Sequence, residues 1–505
     1  MLVFALLIVI SSLVHSEVWL NDLKRGCMRH WNTTVRDGLL QRVADDEPAL
    51  HFTHDFDQGK LSVFAILPCI HFLNQAIKAN QDDIRDRFLQ QFTVLALDVQ
   101  GTMKWDLMKQ VSQLLSHFKY HEFEEIQLAS SMFARANIAS EPRRQMVMAS
   151  LWRLRTQHLR MLHIKYKPCA MEFNSLHVLL KANTDTLTTF EMRELPLGPR
   201  RMSMLLNILS ECRRLHTLSL DSERRIATLN TLTQLKRSEN GFPALKDLAL
   251  DNCEGPGTLE DDESLAVPLL SAFDDLASID LMFYESIQYA DYLASSNNHG
   301  PQRVQLLATI DGLPLDTCLR ASVGRKLELI TDQNVDLTLT NGSDISIGAN
   351  LQTEGIRHLS NSLVRVYPRL EKLSLSVSLE DLEKLLHPLR KATHSLQDLV
   401  VFSLIPFQAP DKREAYKTLS KLIARMNVRR IHLIMEHEKD SAFVKTVLVQ
   451  SLLAELAKYN SPATKLTIAA PITEFRDTGS EARLLMRGTR LREMGFVGSR
   501  NLHQQ

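Results

Sequence analysis

Two copies of one short pattern decide the fold: LHTLSL at residues 215–220 and LKDLAL at residues 245–250. Each copy has apolar residues at its first, fourth and sixth positions, with polar or small residues between the last two. Alternation with a period of two is typical of a β-strand that buries one face. The copies start 30 residues apart. A strand that recurs at such a step predicts a repeat architecture.

The same pattern recurs along most of the chain. It reads LTTFEM before the first of these copies and LASIDL after the second, with a weak copy (VQLLAT) and a shifted copy (NVDLTL) further on. The steps between starts run from 26 to 36 residues with a mean of about 31, just above the length of a leucine-rich-repeat unit. The copies start at Phe92, Phe123, Leu159, Leu187, Leu215, Leu245, Leu276, Val304, Asn334, Leu370, Leu396, Val428, Ala463 and Leu491.

The intervals between copies carry helical periodicity, with apolar residues at i, i+3, i+4 and i+7. One strand and one helix cannot bury their apolar faces alone, but stacked units bury a continuous core. We therefore predict an α/β leucine-rich-repeat solenoid over residues 46–505, a horseshoe with strands inside and helices outside. The clearest helical intervals are residues 106–118, 201–215, 379–392, 412–426 and 443–459.

Charge and hydropathy exclude several classes of function. The 505 residues carry 59 Lys and Arg against 59 Asp and Glu. Because phosphate contacts need a basic surplus, this balance argues against a nucleic-acid partner. A hydrophobic content of 44% argues against long disorder. Beyond the N-terminus, no apolar run has the length needed to span a bilayer.

The sequence offers no catalytic site, and we predict a protein that is not an enzyme and needs no cofactor or metal. The signatures of serine hydrolases, zinc proteases and nucleotide-binding loops are missing. The segment HFTHDFD (residues 51–57) could supply metal ligands, but we interpret it as a polar loop before the first repeat. The six cysteines are scattered, which favours buried free thiols over zinc or disulfide sites.

Strand alternation predicts which residues face a partner. If the leucines of each copy point into the core, the third, fifth and seventh positions point to the concave face. In the first half of the repeat this face is acidic, and in later units it becomes neutral to basic. We predict that it binds a protein partner with a basic patch, the alternative being solvated strand residues. The candidate partner-binding residues are Asp98, Glu125, Asp221, Asp247, Asp251 and Asp280.

The N-terminus allows two interpretations, of which the first is export. The run LVFALLIVISSLV has about the length of a signal-peptide core, and residues 14–16 (VHS) offer a cleavage site before Glu17. Two glycosylation sequons, at Asn32 and Asn341, would be used in an exported chain. This interpretation predicts a signal peptide over residues 1–16 and a secreted or luminal leucine-rich-repeat binding protein.

The second interpretation starts from a resemblance. Residues 9–13 resemble the I-F-x-x-L step of an F-box, residues 21–23 its D-L step, and Cys27 with Trp31 its C-x-x-W step, although the leading L-P-x-E is absent. The repeat unit LKDLALDNC also resembles the cysteine-containing leucine-rich repeat of F-box adaptors. An F-box-like segment over residues 1–45 followed by repeats resembles the F-box/leucine-rich-repeat family.

That resemblance implies a substrate-recognition subunit of a cullin-type ubiquitin ligase, in the cytoplasm or nucleus. The N-terminal helices would dock on a Skp-type adaptor through Leu13, Val18, Leu23 and Trp31. The concave repeat face would hold the protein to be ubiquitinated. In the alternative interpretation, Leu23 and Trp31 cap the open end of the solenoid core. A further possibility is an intracellular scaffold with no link to ubiquitin.

Overall fold

The structure is a computed structural model, and it describes the chain in segments. The continuous segments are residues 49–54, 94–99, 121–129, 156–165, 170–222, 225–238, 241–251, 270–282, 284–295, 300–310, 313–333, 335–349, 355–390, 396–403, 412–435, 444–469 and 488–497. The structure also describes several residues between 109 and 119 and the single residues 154, 394 and 486. The chain divides into two compact units, unit 1 (Met1–Phe273) and unit 2 (Asp274–Gln505).

Unit 1 is built from parallel strands that pair in chain order. Helices connect the later strands: α1 (Ala170–Ala182), α2 (Pro199–Glu211) and α3 (Arg225–Arg237). Each of these helices connects two consecutive parallel strands. Parallel strands require such a crossover connection. The strands are β1 (Ala49–His54), β2 (Val94–Val99), β3 (Glu125–Ala129), β4 (Met161–Lys165), β5 (Thr189–Leu197), β6 (Thr217–Ser222) and β7 (Asp247–Asp251).

The repeated leucines form the core of unit 1, as the sequence predicts. In the copy LHTLSL, Leu215, Leu218 and Leu220 have no exposed surface. Helix residues such as Leu205 and Leu206 of α2 are buried too. Burying a leucine side chain contributes about 1.5–3 kcal/mol, so these buried leucines stabilise the packing of helix against strand.

Unit 2 also alternates strands with helices, which are α4 (Tyr289–Ser295), α5 (Leu315–Ala321), α6 (Gly355–Val366), α7 (Leu379–Leu389), α8 (Lys412–Ala424) and α9 (Gln450–Lys458). Ser378 caps α7 by accepting a hydrogen bond from the Asp381 amide. The strands are β8 (Ser278–Met282), β9 (Arg303–Ala308), β10 (Lys326–Thr331), β11 (Val335–Thr340), β12 (Asp344–Ala349), β13 (Lys372–Val377), β14 (Leu396–Ser403), β15 (Val428–Ile434), β16 (Lys465–Ala469) and β17 (Glu493–Val497).

The repeat is interrupted in the middle of unit 2. Strands β10, β11 and β12 form an antiparallel meander, whereas β8 to β10 and β12 to β17 pair in parallel. We predicted one strand and one helix between Asn334 and Leu370, and this is wrong. The shifted copy at Asn334 is the central strand of the meander, and β10 and β12 were not predicted.

The segment HFTHDFD also departs from our prediction of a polar loop. Its first four residues, 51–54, belong to β1, which pairs in parallel with β2. The backbone of His51 lies opposite Ala96, and that of His54 lies opposite Val99. The rest of the segment, residues 55–57, lies outside the described part of the chain. All fourteen copies of the predicted pattern contribute to strands, and β1 lies ahead of them.

Two cysteines are described, and both fit the prediction of buried free thiols. Cys212 and Cys318 are free and buried. Burial raises the pKa of each thiol to about 12, and nearby carboxylates add to the effect. A thiol with such a pKa stays protonated near neutral pH and is a poor nucleophile. Among the helices that the structure describes, none is long and apolar enough to cross a membrane.

Candidate partner-binding face

The parallel register of unit 1 aligns side chains in rows across the strands, and most of these side chains are partly exposed. Because neighbouring strands lie about 4.8 Å apart, a row from β3 to β7 spans about 19 Å. One row contains Glu125, Met161, Thr189, Thr217 and Asp247, and the next contains Gln127, His163, Glu191, Ser219 and Ala249. Carboxylates from strands that are far apart in the sequence therefore share one face.

His163 lies between two glutamates on this face. Its Nδ1 is 2.9 Å from Oε2 of Glu191, and its Nε2 is 3.7 Å from Oε1 of Glu125. The amide of Gln127 donates a hydrogen bond to the same Glu125 oxygen. The side chains of His163, Glu125 and Glu191 keep only 14–26% of their surface exposed. The contacts fix the orientation of both carboxylates at the surface.

Strand β7 presents two further carboxylates. Asp247 and Asp251 lie at its two ends and point to the same side as Ala249 between them, because their spacing is even. Both are partly exposed. Thr217 of the neighbouring strand donates a hydrogen bond to Oδ2 of Asp247 at 3.4 Å. We call Glu125, Glu191, Asp247 and Asp251 the acidic strand face.

The six predicted partner-binding residues do not share one environment. Glu125, Asp247 and Asp251 belong to the acidic strand face. Asp221 is only 1% exposed, so its carboxylate is not presented to solvent. Asp280 is partly exposed on β8 of unit 2. Asp98 belongs to β2, opposite Ala129, but its side chain lies outside the described part of the chain.

His163 and Glu191 were not among the predicted partner-binding residues. The copies LRMLHI and LTTFEM were recognised as strands, and these two residues occupy their fifth positions. The same alternation rule that selected Asp280 in its own copy selects them. The signal was therefore present in the sequence.

Basic residues border the acidic strand face at the start of the strands, and Lys246 and Arg160 carry positive charge there. His216 and Lys246 are exposed and immediately precede β6 and β7. Arg160, at the start of β4, forms an exposed ion pair with Glu124 at 3.6 Å. Exposed pairs of this kind contribute little to stability. A partner that binds the face would meet carboxylates along the strands and positive charge along this edge.

The strands of unit 2 carry charges that are paired with each other. Arg430 of β15 bonds Asp398 of β14, and Lys465 of β16 lies 3.2 Å from Glu493 of β17. Burial opposes ionisation of Glu328, but hydrogen bonds from Lys326 and Arg303 outweigh it and hold its pKa below the usual range. The described face of unit 2 is thus closer to neutral than that of unit 1.

His432 is the partly buried histidine of the unit 2 strands. Burial lowers its pKa, against the opposing effect of Asp398, whose Oδ1 lies 3.3 Å from Nε2. The nearby positive charges of Arg430 and Lys372 lower the pKa further. His432 therefore adds little positive charge near pH 7.

The sequence matches no known protein-family model. It also matches no curated protein at a significant level. Within the described residues, no group of three His, Cys, Asp or Glu side chains is placed to hold a metal ion. The predicted adaptor-binding residues Leu13, Val18, Leu23 and Trp31 lie outside the described part of the chain.

Proposed function

We propose that the chain is a leucine-rich-repeat scaffold that binds a protein partner with a basic patch on the acidic strand face of unit 1. The observation that carries the proposal is the convergence of four carboxylates from β3, β5 and β7 on one face. The leucine-rich-repeat type is supported by leucines that repeat at steps of about 31 residues and by the alternation of strands and helices.

The size and charge of the face favour a protein partner. A row of about 19 Å matches a peptide of five to six extended residues, at about 3.3 Å per residue. Carboxylates repel phosphate groups, which argues against a nucleic acid. Lys and Arg side chains complement such a face and would set both orientation and association rate.

Neutralising the face tests the proposal. A basic peptide is first selected from a random display library by its binding to the wild-type chain. In the variant Glu125→Gln/Glu191→Gln/Asp247→Asn, we expect the affinity for this peptide to fall about tenfold to a hundredfold. Each partly exposed charge contributes up to about 1 kcal/mol, and 1.4 kcal/mol corresponds to a factor of ten. Fluorescence anisotropy at low and moderate salt measures the change.

The matched control removes the same charge from helices of unit 2. Asp316, Glu380 and Glu414 are about half exposed. We expect Asp316→Asn/Glu380→Gln/Glu414→Gln to bind the peptide like the wild type. An equal loss in both variants would indicate a response to net charge alone, and an unchanged affinity in the first would contradict the proposal.

We further propose that the bound protein is a ubiquitination target. The support is the resemblance of residues 1–45 to an F-box followed by repeats, which implies a Skp-type adaptor as the second partner. The alternative is a secreted or luminal binding protein, supported by the apolar run before Glu17. It is also supported by Asn341, whose sequon lies in an exposed turn between β11 and β12.

Mass spectrometry of the endogenous protein separates these two proposals. The adaptor proposal predicts peptides that retain residues before Glu17, an unglycosylated Asn341, and a Skp-type adaptor that co-purifies and is lost in the Trp31→Ala variant. The export proposal predicts a chain that begins at Glu17 and carries a glycan. A retained N-terminus with no co-purified adaptor would leave a scaffold without a link to ubiquitin.

A further inference from the structure

Three consecutive helices of unit 2 bring positive charge to one tyrosine. Helices α7, α8 and α9 pack side by side in chain order. Arg390, Arg425 and Tyr459 each follow the last residue of one of these helices. Lys458 is the last residue of α9 itself. The ends of the helices therefore place basic side chains from separate parts of the sequence around Tyr459.

The contacts of Tyr459 centre on its phenol oxygen and ring. Nη2 of Arg425 donates a hydrogen bond to Oη of Tyr459 at 2.7 Å. The guanidinium carbon of Arg425 lies 4.9 Å from the ring centroid, and Nζ of Lys458 lies 5.3 Å from it. A group attached to the phenol oxygen would therefore lie next to the guanidinium of Arg425.

Arg390 adds a third positive charge. Its Nε is buried and has no hydrogen-bond partner among the described residues. Burial lowers the pKa of Arg390, and the charge of Arg425 lowers it further, while Glu383 and Tyr459 oppose the shift. Glu455 offsets part of the charge, since one of its carboxylate oxygens lies 3.6 Å from Lys458. An added anion between the two arginines would relieve their repulsion.

Tyr459 is also the accessible tyrosine of the described region. Among the tyrosines whose side chains are described, Tyr289, Tyr367 and Tyr416 are at most 3% exposed, whereas Tyr459 is 36% exposed. Tyr292 is intermediate, and its hydroxyl donates to Asp274. A modifying enzyme that acts on the folded chain would therefore reach Tyr459 before these others.

We propose that Tyr459 is a phosphorylation site whose phosphate is held by Arg425, Lys458 and Arg390. A tyrosine kinase would transfer the γ-phosphoryl group of ATP to Oη. The bond to the β-phosphate breaks, ADP leaves, and the phenolic proton passes to the base of the kinase. The phosphate carries about −1.5 to −2 charges near pH 7 and three acceptor oxygens. Opposite an arginine cluster, it forms charge-assisted hydrogen bonds that join the end of α8 to the end of α9.

One effect opposes this arrangement. Tyr459 caps the C-terminal end of α9, where the helix dipole repels negative charge. The dipole effect is confined to the last turn, and the cations of Lys458 and Arg425 lie in the same place. The direct contacts of the phosphate with these cations outweigh the repulsion by the helix dipole, so the phosphate stabilises the helix ends. This proposal concerns unit 2 and is independent of the acidic strand face.

The test installs phosphotyrosine at position 459 during synthesis of the full-length chain. The second pKa of the phosphate, ordinarily about 6, is followed by phosphorus NMR. Because nearby cations favour the dianion, we expect this pKa to fall by about one unit. In the Arg425→Gln chain, we expect it to rise part of the way back toward the ordinary value. An ordinary pKa that does not respond to Arg425→Gln would overturn the proposal.

A second measurement tests whether the folded chain is modified there. The wild-type chain is incubated with a broad-specificity tyrosine kinase and ATP, and phosphopeptides are mapped. We expect phosphate at position 459, lost from that peptide in the Tyr459→Phe chain. Phosphate found on other tyrosines of the folded chain but not on Tyr459 would contradict the proposal.

Discussion

Replacing Asn183 with alanine is expected to lower the free energy of unfolding of unit 1 by about 3–5 kcal/mol. Asn183 is 1% exposed, and its side chain bonds three backbone groups that belong to two segments, the residues before β4 and the end of α1. Its Oδ1 accepts a hydrogen bond from the Leu159 amide at 2.9 Å, and its Nδ2 donates to the carbonyls of Thr156 and Leu179 at 2.9 and 2.8 Å. Alanine would leave three buried backbone groups without these partners, each at a cost of about 1–3 kcal/mol.

Hydrogen exchange of unit 1 peptides in urea, measured on the full chain, would report the change. The matched control is Asn207→Ala, because Asn207 is exposed on α2 and the same atoms are removed there. We expect a change within about 0.5 kcal/mol for the control. Equal protection in the two variants would show that the Asn183 hydrogen bonds do not hold the segment before β4 against the end of α1.

The second large effect is expected at Gly342, between β11 and β12. Three residues join Thr340 to its partner Asp344, and two of them have left-handed backbone, with a φ of 58° at Asn341 and 73° at Gly342. A Cβ at position 342 would lie 2.7 Å from Cγ2 of Val323. For Gly342→Val, strain and overpacking together should cost about 2–4 kcal/mol, measured as a loss of hydrogen-exchange protection in β10 to β12.

Gly348 of β12 provides the control for this substitution. It has no positive φ, and an added Cβ would meet only the Asp336 carbonyl oxygen, at 3.9 Å. We expect Gly348→Ala to leave the protection of the meander nearly unchanged. If Gly342→Val were tolerated as well as Gly348→Ala, the turn would not depend on the left-handed conformation at position 342.

The repeated strands could be predicted because one pattern encodes two properties. In LKDLAL, the leucines set both the strand period and the buried side, and Leu248 and Leu250 are buried as that pattern requires. The helices between copies could be predicted for the same reason, since their apolar stripe must meet the leucines. Local periodicity and tertiary packing agree along most of the chain.

The meander was missed because its strands lack the leading apolar residue of the repeat. In the repeat, the leading apolar residue stands three positions before the next apolar residue of the strand. At the corresponding position, β10 has Gly324 and β12 has Gly342. The correct signal lay in the turn, because Asn-Gly between two alternating segments is typical of a tight hairpin. We considered Asn341 only as a glycosylation site.

The candidate site could be predicted in part. Alternation gives the side of a strand on which a residue lies, and Glu125, Asp247 and Asp251 are each partly exposed next to a buried strand residue, as alternation predicts. Alternation does not predict how much of a side chain is exposed, since Asp221 is on the same side as Asp251 and is nevertheless buried. That exposure depends on how neighbouring segments pack over the strand. The contact between His163 and Glu191 depends on strand register, which a single repeat unit does not encode.

A photocrosslinking amino acid on each side of unit 1 tests most directly whether a partner binds the acidic strand face. Ala249 lies between Asp247 and Asp251 on the acidic strand face, and Val178 lies on α1 with 68% of its surface exposed. We expect the chain with the crosslinker at position 249 to capture, in cells, a partner through a peptide rich in Lys and Arg, and the chain with it at position 178 to capture none of that partner. Capture of the partner from position 178 but not from position 249 would contradict binding on the acidic strand face.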